Sequence, residues 1–234
     1  MADIRIDKYL SVALGISRSE AKILLKSGKI STDGKIISKP ETKVSETAEV
    51  KCEGEILKYK KYIYLLMNKP EGILSASTDK RVKTVVDIVP DHLKRAGLFP
   101  VGRLDKNTTG LLIITDDGDF GHKVTSPKSL IEKRYLAELD GKIEEEYITV
   151  FENGVTLADG EECMPARLEI VSDNIGIVTI KEGKYHQIKR MFGIVGLGVN
   201  KLKRLSIGKL TLPENLKEGS VKELEEADIR KIFQ

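Results

Sequence analysis

Apolar and polar positions divide the chain into two stretches with different periods. In the first, Ile6, Leu10 and Ala13-Leu14 recur at helical spacing, and Gly15 stands where a helix would stop. Ser17 and Glu20 then make the Ser-x-x-Glu pattern of a capping box. It predicts a second helix that turns Ala21, Leu24 and Leu25 inward and ends before Gly28. Two short strands, 29–32 and 35–38, flank Asp33-Gly34, the dipeptide of a tight hairpin. The polar, charged stretch 51–61 reads as a linker, so the expected domains are 1–58 and 59–234.

From residue 63 the period changes. A nearly pure apolar run at 63–67 ends at Asn68-Lys69-Pro70, and further strand patterns fall at 111–115, 134–139, 167–171 and 176–181. Helical patterns sit between them at 84–89, 143–152 and 187–193. Many strands with few helices predict an α+β fold: a small α/β-hairpin domain, then a mixed, mostly antiparallel sheet with flanking helices.

Charge alters this picture more than composition does. The net charge is only +3, but residues 1–40 hold eight Lys/Arg against four acids, and residues 183–210 hold seven and no acid. Two basic surfaces on an otherwise acidic chain suit an extended polyanion. On the second predicted helix, Arg18, Lys22 and Lys26 fall four apart on the outer side, a stripe that can follow a phosphate backbone. There is no Trp, so base stacking falls to seven Tyr and five Phe. Cys52 and Cys163 are isolated, which removes a CxxC metal knuckle and a disulfide framework and suits a reducing cytoplasm. The N-terminal apolar stretch is short and broken by charge, neither signal peptide nor membrane span.

Candidate chemistry centres on Gly102-Arg103-Leu104-Asp105-Lys106-Asn107-Thr108-Thr109-Gly110, a loop left through the apolar strand at 111–115. Asp105 is its only acid, and its neighbours Arg103 and Lys106 favour the ionised form that a nucleophilic carboxylate needs. An Asp in such a loop is usually a turn former. His92, His122 and His186 lack ligand spacing, and Thr115-Asp116-Asp117-Gly118-Asp119 lacks the terminal Glu of an EF-hand, so no metal is expected. That acidic cluster reads as a turn with helix-start charges. No phosphate-binding GxxxxGK[ST] loop occurs.

The first fifty residues resemble the S4 RNA-binding domain, on Ile4-Arg5-Ile6-Asp7-Lys8-Tyr9-Leu10 through Gly34-Lys35-Ile36-Ile37. The Asp105 loop resembles the central motif of the pseudouridine synthases, in particular the RsuA-type branch acting on ribosomal RNA. Three further segments agree in order: Asn68-Lys69-Pro70-Glu71-Gly72, Glu132-Lys133-Arg134-Tyr135, and the run from Glu182 through Tyr185-His186-Gln187-Ile188-Lys189-Arg190 to Phe192.

The resemblance implies that Asp105 is the catalytic carboxylate, that Tyr135 stacks on a flipped uracil, and that Lys189 pairs with the Asp. It implies that Leu202 packs against the Tyr and that Arg103 enters the RNA. Lys133 and Arg190, with Arg18, Lys22 and Lys26, are expected to bind RNA, and His186 to be structural or RNA-facing rather than catalytic. The implied reaction breaks the uridine N1–C1′ bond and rejoins the base through C5. It needs a site that holds a detached base away from water, and neither cofactor nor redox group. Whether the carboxylate adds to the base or assists its departure stays open at this level. A glycoside hydrolase would need a second carboxylate that the motifs lack, and an inert S4-type RNA binder would not need Asp105 or Tyr135. Since no long basic tail precedes the end at Gln234, the expected substrate is small-subunit 16S RNA, with 23S RNA the alternative, naked or in a partly assembled subunit, and the expected state is a monomer.

Overall fold

The computed structural model describes residues 3–234, which divide between Ile63 and Tyr64 into two compact units. In the first, β1 (Asp3–Arg5) leads into α1 (Ile6–Leu14) and α2 (Arg18–Lys26). Helix α1 stops at Gly15 in the left-handed conformation, and α2 starts at a complete capping box in which Ser17 and Glu20 each accept the other's backbone N–H. Ile6, Tyr9, Leu10, Ala21 and Leu25 form the core against Ile30, Val44 and Val50.

The hairpin of β2 (Ile30–Thr32) and β3 (Lys35–Ile36) turns through Asp33 and Gly34, both at positive φ. β4 (Lys43–Ser45) pairs with β1. The expected linker is instead structured: β5 (Val50–Cys52) and β6 (Glu55–Ile56) form a second hairpin through Glu53-Gly54, giving the sheet order β3-β2-β5-β6. Leu57 and Tyr59 also pack on this core, Tyr59 stacking on Tyr9 at 4.6 Å. Those contacts carry the division to Ile63/Tyr64 rather than 58/59.

The second unit contains β7 (Tyr64–Lys69), β8 (Phe99–Pro100), β9 (Thr108–Thr115), α3 (Gly118–Thr125), β10 (Lys133–Leu139) and α4 (Glu146–Glu152). β11 (Arg167–Ser172), β12 (Ile175–Ile180), α5 (Gln187–Ile194), β13 (Val199–Ile207), β14 (Leu210–Thr211), β15 (Val221–Glu223) and α6 (Glu226–Lys231) follow. The sheet runs β11-β12-β10-β13-β9-β7-β15, with β14 on β13 and β8 on β9. The pairing of β9 with β13 is parallel and the other strand pairings of this sheet are antiparallel, the mixed sheet expected. Strands β7 and β9 are buried on both faces, hence their unbroken apolar runs. Leu66, Leu111 and Ile113 pack with Phe120, Val124 and Ile232 on one side.

Two helix expectations change. Residues 84–89 form a turn in which the Thr84 amide and hydroxyl donate to Asp87 at 2.8 and 3.0 Å. The local cap is present, but Pro90 disfavours continuation of a helix. Helix α4 starts late because the Ile143 amide donates to the Asp173 carbonyl at 2.7 Å, tying 143 to the β11–β12 turn. The acidic cluster at 116–119 starts α3, Asp117 capping the Phe120 amide at 3.1 Å.

Candidate active site

Asp105 sits in the loop between β8 and β9, where backbone groups on either side of it are bonded. The Ser75 hydroxyl donates to the Leu104 carbonyl at 2.9 Å and accepts the Leu104 amide at 3.1 Å. The Thr108 amide closes a turn onto the Asp105 carbonyl at 3.1 Å. Beneath the loop lies Lys69, fully buried, whose ammonium donates to the carbonyls of Pro70, Lys106 and Thr108, each at 3.0 Å. Burial pushes Lys69 down to about 8, while the charges of Asp105, Glu71 and Glu218 act in the opposite direction. A loop clamped at 104, 106 and 108 holds a short side chain in one direction.

Gly110 ends this segment at φ +99°, where β9 meets β13. A Cβ there would lie 2.3 Å from the Arg204 carbonyl oxygen and 2.7 Å from its nitrogen. Only a glycine allows the two backbones this approach.

Helix α5 supplies the facing groups. His186, at its N-cap, has φ 49° and ψ 30°, and its Nε2 lies 3.3 Å from Asp105 Oδ1. Lys189 Nζ lies 3.5 Å from Asp105 Oδ2. Residues three apart share a helix face, so both reach one carboxylate. Asp105, with 28% of its side chain exposed, opens onto a cleft also lined by Arg103, Tyr135, Ile180 and Leu202.

The sheet positions the cleft's floor. Tyr135 on β10 lies opposite Val178 on β12 and Arg204 on β13, and Leu202, two residues earlier on β13, is paired in parallel with Thr108. Tyr135 and Leu202 are both buried. Arg204, also buried, donates from Nε to the Leu111 carbonyl at 2.7 Å and from Nη1 to the Tyr135 hydroxyl at 3.4 Å. It thus ties the tyrosine to the strand that follows the Asp105 loop.

The structure therefore brings Asp105, Tyr135, Lys189, Arg103 and Leu202 to one cleft. Two other expected RNA-facing residues are engaged within the protein. Arg190 pairs with Asp159 and with Glu161 at 2.9 Å, and donates to the Tyr185 carbonyl at 3.2 Å. That bonding holds Glu161 below the usual carboxylate range and Arg190 above its ordinary value. One residue past Lys189 is about 100° around the helix, which turns Arg190 away from the carboxylate. Lys133 is partly buried and donates to the Ile131 carbonyl at 2.9 Å; burial first, then the Arg204 charge, pushes it down to about 8. In the first unit, Arg18, Lys22 and Lys26 are all exposed on α2.

Lys69, Ser75 and Arg204 were not assigned roles from sequence. A lysine at the end of the apolar strand Tyr-Leu-Leu-Met-Asn-Lys carried a signal, because a charge there needs buried partners. Among the described residues no group of three or more His, Cys, Asp or Glu side chains is placed to hold a metal, and no helix is long and apolar enough to cross a membrane.

Residues 63–193 match the model of the RNA pseudouridylate synthase family, and residues 4–50 match that of the S4 domain. An uncharacterized RNA pseudouridine synthase of Bacillus subtilis is 41% identical over 231 residues, 97% of each chain. Ribosomal small subunit pseudouridine synthase A of Vibrio cholerae is 39% identical over 231 residues, covering 98% of this chain and 100% of that one. A crystal structure of a pseudouridylate synthase, 35% identical, covers 98% of this chain and 99% of its own with a TM-score of 0.68.

Proposed function

Because this chain belongs to the RNA pseudouridylate synthase family, we propose that it converts one uridine of small-subunit 16S ribosomal RNA to pseudouridine. The observation that carries the reading is the clamped Asp105 carboxylate, 3.3 Å from His186 and 3.5 Å from Lys189, in one cleft with Tyr135 and Leu202. The target uridine leaves its stack, at a cost of a few kcal/mol, and its uracil enters between Tyr135 and the Asp105 loop. The carboxylate either adds to the ring or assists departure of the base; both routes break N1–C1′ and form C5–C1′. C5 loses a proton and N1 gains one, so atoms and electrons balance without water or an electron acceptor.

Lys189 stays paired with the Asp105 carboxylate during this exchange, and the Tyr135 ring with Leu202 holds the free base in apolar contact. Arg103, exposed at the mouth, occupies the space that the flipped base vacates. The S4 unit adds phosphate contacts from Arg18, Lys22 and Lys26, raising the local concentration of RNA at the cleft. Arg190 and Lys133 act as braces. The chain works as a monomer in the cytoplasm, where its two unpaired cysteines stay reduced.

Pseudouridine mapping of 16S and 23S RNA, naked and as subunit particles, tests this with wild type and Asp105→Asn. One new 16S site made by wild type alone is the expected result. A site in 23S RNA would move the substrate. An equally active Asn variant would remove Asp105 from its role, and no modification by wild type would leave an RNA binder.

A further inference from the structure

Most large side chains left exposed in this unit carry no chemistry, but Tyr185 stands apart. It is 76% exposed, yet it lies on a loop held by several side-chain hydrogen bonds. The Gln187 side chain donates to Glu182 at 2.8 Å and accepts the Lys184 amide at 3.0 Å; Glu182 also accepts the Met164 amide at 2.8 Å. Arg190, itself held by Asp159 and Glu161, donates to the Tyr185 carbonyl at 3.2 Å. The ring stacks on His186 with centroids 3.9 Å apart and planes inclined by 20°. One face is thus covered by imidazole, and the strongly exposed ring offers its other face to solvent. His186 in turn reaches Asp105 at 3.3 Å. The free face lies no farther from the carboxylate than those two contacts and the width of an imidazole.

We propose that Tyr185 is a stacking platform for the nucleobase next to the target uridine on the same RNA strand. This rests on the uridine-isomerising reading above. Flipping one base strips its neighbour of a stacking partner, leaving an apolar face open to water. A rigid aromatic at the rim replaces that partner without losing conformational freedom on binding, and it accepts any base because every base has a π-face. The platform also links recognition to chemistry: a base on Tyr185 presses on the imidazole that touches Asp105.

The test uses an RNA fragment that the full chain modifies, with abasic nucleotides placed singly at the three positions on either side of the target. Tyr185→Ala should raise KM about 5- to 150-fold, the range expected for one base–aromatic stack, with a much smaller change in kcat. Tyr185→Phe should behave as wild type. One abasic position should weaken binding by wild type but add nothing in Tyr185→Ala, the non-additivity of a direct pair. An unchanged KM in Tyr185→Ala, or additive losses at every position, overturns the proposal. So does a loss confined to kcat, which would make Tyr185 only a buttress for His186. If wild type forms no pseudouridine in any ribosomal RNA, the underlying reading fails, and this inference fails with it.

Discussion

Replacing Gly110 by alanine tests whether the approach of β9 to β13 sets the site. The new Cβ would fall 2.3 Å from the Arg204 carbonyl oxygen, where real Cβ contacts stay beyond 3.0 Å, so one backbone must retreat by at least 0.7 Å. No flexible side-chain end is available to absorb this, because the three nearest atoms are all backbone. Overpacking of this kind costs about 1–3 kcal/mol. Holding a residue with a Cβ at φ +99° adds about 1–3 kcal/mol. The sum is roughly 2–6 kcal/mol, centred near 4, a large share of a typical domain's ~5–15 kcal/mol. For a unit of this size the central value of about 4 kcal/mol lowers the melting temperature by about 8–16 °C. Gly118→Ala is the control, because its backbone does not need glycine and nothing lies within 4 Å of its would-be Cβ. Thermal unfolding followed by circular dichroism should separate the two variants clearly. At a temperature where Gly110→Ala is still folded, its turnover should also fall, since Arg204 carries the Tyr135 hydroxyl. A destabilisation below about 1 kcal/mol would refute the reasoning, because strain and overpacking each predict at least that much.

Two further outcomes follow from buried and exposed cations. Lys69 is held near 8 in the folded chain against an ordinary 10.5, so between those values the unfolded chain binds a proton that the folded chain does not. Stability contributed by this group therefore rises from pH 8 to 10.5 and is flat below. Lys69→Met should flatten that rise in denaturant titrations and lower turnover, as three loop carbonyls lose their shared donor; parallel stability curves would contradict it. Changing Arg18, Lys22 and Lys26 together to Gln should weaken RNA binding and reduce its log–log salt slope by about 2–3, near one per lost phosphate contact. Anisotropy titrations across a salt series measure this, and an unchanged slope would remove α2 from the RNA face.

Features specified within a few residues were legible in the sequence. Ser17 with Glu20, Gly15 and Asp33-Gly34 each carry their structure locally, and all three stand where expected. The second hairpin was missed because its strands are only two or three residues long, too short for the alternation of Val50-Lys51-Cys52 beside Glu53-Gly54 to stand out. Asp105, Lys189, Tyr135 and Leu202 were found through motif resemblance rather than physical pattern. What remained hidden depends on long-range packing. Lysine is usually solvated, and only the pairing of β7 with β9 puts Lys69 under the loop. Arg204 reads as one more cation of a basic run until β13 is set beside β9. The resemblance makes His186 structural or RNA-facing, and its place just ahead of the expected helix 187–193 does not show that the N-cap turns its imidazole toward Asp105. The geometry of that helix could have turned Arg190 away.

The parallel junction of β9 with β13 also sets a timetable. Its partners are far apart in the chain: Arg204 bonds Leu111 across 93 residues. During synthesis at about 5–20 residues per second, the Asp105 loop waits roughly 5–20 s for the strand that completes its cleft. The first unit has all its strands and helices by Ile56 and needs no such delay. A chain still being made can therefore present a finished RNA-gripping module while its reactive pocket is unassembled. Contacts of such long sequence separation slow folding, so the isomerising site becomes complete only once almost the whole polypeptide is in place.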